Sequence, residues 1–147
     1  MNNREKLCHF LFQKSAGPYA TLFKRNQAAW NLTASDLLMY PKESLGYQVG
    51  EFLSTNGFEF YPKHESHDVF HVVCNYGTSV KEEIGLQFSL FGNGKRSLYL
   101  YVVMCLGLLI VPEYFQFYKA SYYKGKRQEK FHHEICREFL KKRYENK

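Results

Sequence analysis

Apolar residues recur along this chain at steps of three and four rather than two, which is the periodicity of helices packed on one face. Leu7, Phe10 and Leu11, together with Lys14, form the first such stripe, and the Gly17-Pro18 pair is expected to end it. A second helical segment is expected at about 19–30. Thr33 or Ser35 is placed to cap a short helix reaching Met39, after which Tyr40-Pro41 interrupts the chain. Ser44 then opens a helix that Asn56-Gly57 stops. Residues 64–76 and 79–91 predict two helices joined at Gly77-Thr78, a helical hairpin whose second arm ends at Gly92-Asn93-Gly94. Residues 97–111 form an almost wholly apolar helix. Pro112 sits where a helix can restart, residues 113–123 continue with a heavy aromatic load, and a last helix is predicted over 127–144. No run alternates strictly between hairpin turns, and no repeat or low-complexity segment intervenes. The pattern predicts an all-α fold, a single-domain helical bundle spanning residues 1–147.

Composition narrows the class. Hydrophobic residues make up 45% of 147, enough to build one core without disulfides. Cys8, Cys74, Cys105 and Cys136 include no Cys-x-x-Cys pair, which argues against a zinc ribbon or a redox dithiol and for a reducing compartment. The opening Met-Asn-Asn-Arg-Glu-Lys leads into a short apolar stretch without cleavage-type small residues, so no secretory signal and a cytoplasmic setting are expected. The apolar segment 98–111 is shorter than the roughly 20 residues that cross a bilayer as a helix. A buried core helix is expected there, with a dip into a membrane surface as the alternative.

The formal charge of +6 is concentrated near the C-terminus, where Lys124, Lys126, Arg127, Lys130, Arg137, Lys141, Lys142 and Arg143 outnumber Glu129, Glu134, Glu138 and Glu145. An anionic partner such as lipid headgroups fits this, and so does a plain solvated face. No nucleic-acid partner is expected, because helix-turn-helix and zinc-finger spacings are absent. Gly92-Asn93-Gly94-Lys95-Arg96-Ser97 lacks the leading glycine and the preceding strand of a phosphate loop.

The chemistry lies on the hairpin. His64, His67, Asp68 and His71 fall within an arc of about 100° on one helix. On the next, Val80, Leu86, Gln87 and Leu90 surround Glu83, while Lys81, Glu82, Gly85 and Ser89 occupy the far side, so Glu83 is expected to point inward. An ionised carboxylate on an apolar face needs a cation, and no Lys or Arg shares that face. The nearest partner is a divalent metal held by His67, Asp68, His71 and Glu83, a donor set suited to zinc first and to iron(II) or manganese as alternatives. His64 is placed as a fifth ligand, an outer hydrogen-bond partner or a proton shuttle. Cys74, one turn beyond His71, is expected to act as a small buried hydrophobe.

His67-Asp68-Val69-Phe70-His71, followed after eleven residues by Glu83, resembles the HDxxH-x11-E pattern of the Coq-four family of coenzyme Q (ubiquinone) biosynthesis proteins. Tyr40-Pro41 with Ser44-Leu45-Gly46 is similar to that family's Pro-x-x-(Gly)-Thr-Leu-Gly segment, with Ser44 in place of threonine. The resemblance covers about residues 35–95. It implies an all-helical fold, zinc or another divalent ion at the four named positions, and a hydrophobic cavity for a polyprenyl quinone precursor. It further implies peripheral attachment to the inner membrane, association with other quinone-biosynthesis proteins, and a role in ring decarboxylation and hydroxylation. Two functions follow as alternatives: a metal-dependent oxidative decarboxylase of a prenylated benzoate ring, or a non-catalytic prenyl-lipid carrier or scaffold. The short chain without an organelle leader suggests a bacterial relative, and a homo-oligomer is compatible with either function.

Overall fold

The computed structural model describes residues 2–135 and 137–144, so Met1, Cys136 and Glu145, named above, lie outside it. Seven α-helices follow one another among the described residues: α1 Asn3–Phe23, α2 Ala34–Leu38, α3 Leu45–Asn56, α4 Glu65–Cys74, α5 Val80–Asn93, α6 Leu98–Ile110 and α7 Phe115–Arg127. Short 3-10 turns occupy Pro112–Tyr114 and Arg137–Lys141. Among the described residues extended pairing is confined to a bridge between Ser44 and Arg143.

Hydroxyl side chains set four of the starts. Thr33, Ser44, Ser79 and Ser97 each accept a hydrogen bond from a backbone N–H in the first turn of the helix that follows. Thr33 thus takes the capping position that the sequence left between it and Ser35, and Asp36 completes a capping box. Three left-handed residues, Gly57, Asn75 and Gly94, end α3, α4 and α5.

Helix α5 is the spine. It runs antiparallel to α6, with Phe91 against Tyr101 and Ile84 against Gly107, and in the same direction as α7, with Phe88 stacked on Tyr118 at 5.1 Å. Glycines let α5 and α7 approach backbone to backbone. A Cβ at Gly125 would collide with the Ser89 carbonyl, and one at Gly92 with the Tyr122 carbonyl. Helix α1 lies antiparallel to α6, since Arg4 reaches the Ile110 carbonyl while Tyr19 packs on Tyr99. Leu45, Val49 and Leu53 bring α3 onto α2, onto Val69 of α4 and onto Leu140, each fully buried. Each such side chain contributes roughly 1.5–3 kcal/mol of apolar burial.

Several expectations from the sequence are corrected. Helix α1 continues through Gly17-Pro18 to Phe23, with Pro18 exposed inside it, and residues 24–33 are irregular rather than helical. The missing proline N–H costs the helix a hydrogen bond, and the segment packs so close to Tyr61 that a Cβ at Gly17 would meet its hydroxyl. The core face of α1 is also not the Leu7, Phe10 and Leu11 stripe. Cys8 is fully buried and Phe12 packs beside it, whereas Leu7 and Phe10 are about half exposed.

Nor is the helix over 127–144 present. Helix α7 ends at Arg127, and a loop with a 3-10 turn follows. The buried Asn93 side chain donates to the carbonyls of Gly125 and Glu129 and accepts from the Phe131 N–H, so it ties down the chain that a continuing helix would have paired with itself. Phe131 and Leu140 enter two different clusters.

Helix α6, expected to be a buried core helix, is buried on one side only. Leu100, Val103 and Gly107 face the core, while Leu98 at 56% and Leu109 at 79% exposure stand outward with Tyr101, Val102 and Leu108. An all-round apolar helix carries no periodicity from which its buried side can be read. Among the described residues no single helix is long and apolar enough to cross a membrane, and only the pair Leu98–Ile110 and Pro112–Arg127, bent by 105°, reaches that length and apolarity together.

Candidate metal centre

Helix α4 ends at Asn75, whose left-handed backbone lets Tyr76 fold back so that its N–H reaches the His71 carbonyl at 2.9 Å. The same reversal brings the Tyr76 carbonyl 3.2 Å from His71 Nδ1. A carbonyl only accepts, so Nδ1 carries a proton and Nε2 is the ring atom left to face the site. Nε2 faces Glu83 Oε1 at 3.1 Å and His67 Nε2 at 3.2 Å. Glu83 Oε2 in turn lies 3.3 Å from His67 Nε2. The cluster needs positive charge beside the carboxylate, which either a proton on an imidazole Nε2 or a metal ion in its place supplies.

The ligand atoms of His67, His71 and Glu83 all lie within 4.8 Å of one another. Two imidazole nitrogens and a carboxylate oxygen suit zinc, iron(II) or manganese and leave coordination positions for water or a ligand. The surroundings stiffen the site. His71 is 2% exposed and stacks against Phe52 of α3 at 5.4 Å, while the His67 and Glu83 side chains are about a quarter exposed and form the open side.

Helix α5 aims its two acids in opposite directions. Ser79 donates to Glu82 Oε2 at 2.6 Å and the Gly77 N–H donates to Oε1, so Glu82 is spent on the helix start. Glu83, one residue on, turns to the histidines. Burial alone would raise the Glu83 carboxyl, but the hydrogen bonds and charges of His67 and His71 outweigh it and hold the group well below the ordinary range. Burial likewise acts to lower His71, yet the Glu83 hydrogen bond and charge leave it raised. The two groups stabilise each other's charged forms.

Asp68 and His64 are placed differently from this triad. Asp68 lines the same cavity but supplies no atom to the 4.8 Å group. Burial pushes its carboxyl up to about 6, the charges of Glu83 and Glu65 add to that, and His67 and His71 oppose it. His64 is buried at the start of α4 among the rings of Tyr19, Tyr61 and Tyr99, with centroids at 5.8–6.2 Å. It lines the cavities on both sides of the triad. What the sequence did not reveal is the Tyr76 carbonyl, because a backbone acceptor leaves no residue signature. Asn75, a residue that tolerates the left-handed conformation, was the available hint.

A cavity of about 330 Å³ opens on Glu83, His67 and Asp68. Phe12, Phe58, Tyr61, Val80 and Tyr99 give it apolar walls. Cys74 is buried, and burial pushes its thiol up to about 12. Cys105 is exposed on α6. Alkylation of the native protein by iodoacetamide, followed by peptide mapping, is therefore expected to modify Cys105 and to spare Cys8 and Cys74 until denaturant is added. Equal labelling of Cys74 and Cys105 would contradict this placement.

No protein-family model matches the chain, and no curated protein does. Among solved structures, the chain is similar to a crystal structure from Nostoc punctiforme PCC 73102 of a protein named "Putative ubiquinone biosynthesis protein". Sequence identity is 20% and the TM-score 0.53, over 86% of this chain and 67% of that one. The shared property is the fold: this chain and the Nostoc protein are built on the same helical architecture.

Proposed function

We propose that this chain is a metalloprotein of the ubiquinone-biosynthesis type that binds a prenylated aromatic ring beside a divalent ion. The observation that carries the proposal is the His71 ring. Its Nδ1 proton is committed to Tyr76, so that Nε2 faces the same point as His67 and Glu83. His67, His71 and Glu83 hold the ion, and Asp68 joins them as a fourth ligand or as acceptor for a bound water. Zinc is the first choice, with iron(II) and manganese as alternatives. A bound ion supplies a Lewis acid for ring oxygens.

The chain's own residues do the rest. Phe12, Phe58 and Tyr99 exclude water and orient the prenyl tail, and His64, on the wall common to both cavities, is placed to pass a proton. The Nostoc neighbour's name and the HDxxH-x11-E spacing support the quinone assignment. The activity that fits is oxidative decarboxylation of the ring, in which the carboxylate leaves as carbon dioxide, a hydroxyl group takes its place and dioxygen is the oxidant. The exposed apolar side of α6 supports peripheral attachment to the inner membrane of a bacterial cell. The same surface favours a second function, a non-catalytic carrier or scaffold that presents the lipid to other quinone-biosynthesis proteins, as a monomer or homo-oligomer.

Native mass spectrometry of the purified protein tests the central claim. One divalent ion per chain and a co-purifying prenyl lipid are expected, and a metal-free, lipid-free chain would overturn it. Turnover separates the two functions, since a metal-free variant that sustains the same quinone flux would be a scaffold.

A further inference from the structure

On the other side of His64, His67 and Tyr99 lies a second cavity of about 360 Å³ with a different chemistry. Lys24, which follows α1, and Lys95, which follows α5, both line it, together with His132 from the loop after α7. Three distant stretches of chain thus bring basic groups to one space. Both lysines are half-buried, and among the described residues neither ammonium has a carboxylate within 4 Å. Lys24 feels Glu65 and Asp68 only at longer range, and Glu65 already accepts from the Trp30 N–H at 2.9 Å.

The positions are fixed before any ligand arrives. The Lys95 ammonium stands 4.3 Å over the Phe70 ring. Asn93 accepts from His132 Nδ1 at 3.1 Å, its Nδ2 being committed as a donor to the Gly125 and Glu129 carbonyls, and this leaves His132 Nε2 buried without a partner. Ser97, the N-cap of α6, lies on the same wall and adds the positive end of a helix dipole. Burial, and after it the charge of Lys24, brings Lys95 down to about 8, so the two ammoniums work against each other in the free protein. Like charges held together in a partly dry cleft are relieved by an anion.

We infer that Lys24, Lys95 and His132 form an oxyanion-binding subsite beside the metal triad, which takes the carboxylate or phosphate group of an acidic ligand. Lys24 and Lys95 neutralise the charge, and His132, whose Nδ1 proton is committed to Asn93, offers Nε2 as an acceptor to a ligand hydroxyl or a bridging water. The subsite shares its wall with the triad through His64 and His67 but uses no metal ligand as a binding group. An acid bound there would lie next to the ion, with the apolar cavity beyond.

Isothermal titration of the full-length protein with inorganic phosphate and, separately, with 4-hydroxybenzoate tests this and distinguishes the two sources of oxyanion. At least one probe is expected to bind the wild type. Lys95→Met and Lys24→Met are each expected to weaken that binding about tenfold or more, the usual effect of losing a charge-assisted hydrogen bond, with metal content and melting temperature unchanged. His71→Ala, which tests the metal reading, is expected to keep the binding. The inference is overturned if neither probe binds the wild type, if both lysine variants bind as the wild type does, or if binding disappears with the metal.

Discussion

Glu83→Ala and His71→Ala are expected to purify without the divalent ion, whereas Glu82→Ala retains it. The three residues sit on the same hairpin, and Glu82 and Glu83 are neighbours in sequence, so overall charge and helix content hardly distinguish them. What differs is direction. Glu83 offers its two oxygens to His67 and His71 at 3.3 and 3.1 Å, while those of Glu82 are taken up by Ser79 and Gly77. Removing one of three donors is expected to exceed the roughly 10–100-fold loss of affinity that outer hydrogen-bond partners cause when deleted. Glu82→Ala weakens the helix start instead, by about 1 kcal/mol. Metal content by inductively coupled plasma mass spectrometry after dialysis reads the result directly. Equal metal in all three variants would remove the basis of the centre.

Gly125→Ala is expected to destabilise the fold by roughly 1–3 kcal/mol, as overpacking in a well-filled interior does, and Gly125→Val by more. The added methyl group would run into the Ser89 carbonyl, which belongs to the α5 backbone and has no rotamer to escape into. The same applies to Gly92 and the Tyr122 carbonyl of α7. Separating the two helices would also disturb Phe88 on Tyr118 and the Asn93 bonds across the same seam. Urea denaturation midpoints of the three proteins, at equal slope, measure the cost. A Gly125→Ala midpoint equal to the wild type would show that the seam has room the structure denies. Because Glu83 lies on α5, Gly125→Val is also expected to loosen metal retention.

The centre and the bundle were legible to different depths. The start at Ser44 and the stops at Gly57 and Gly94 are local chemistry, written in two or three adjacent residues, and the structure uses each of them as the pattern predicts, whereas Ser79 and Ser97, read as the first residues of their helices, stand just outside them as caps. The inward turn of Glu83 followed from its apolar neighbours on α5. Asp68 shared the helical arc of the histidines, yet an arc of about 100° is wide enough to leave its carboxylate outside the group that His67, His71 and Glu83 form. Pro18 was expected to break a helix on a rule that holds for isolated chains, and the contact of Gly17 with Tyr61 lies beyond what neighbouring residues reveal.

By itself, then, the sequence determined the all-helical class and set the donor residues on α4 and α5 from which His67, His71 and Glu83 form a group that could hold a metal, because helix periodicity, capping and donor type are properties of neighbouring residues. Only the tertiary structure decided which side of α6 stays exposed, where the last helix ends and which cavity receives Lys24, Lys95 and His132. Those outcomes depend on groups such as Asn93 and the Tyr76 carbonyl, whose partners are either far along the chain or part of the backbone and so leave no periodic trace.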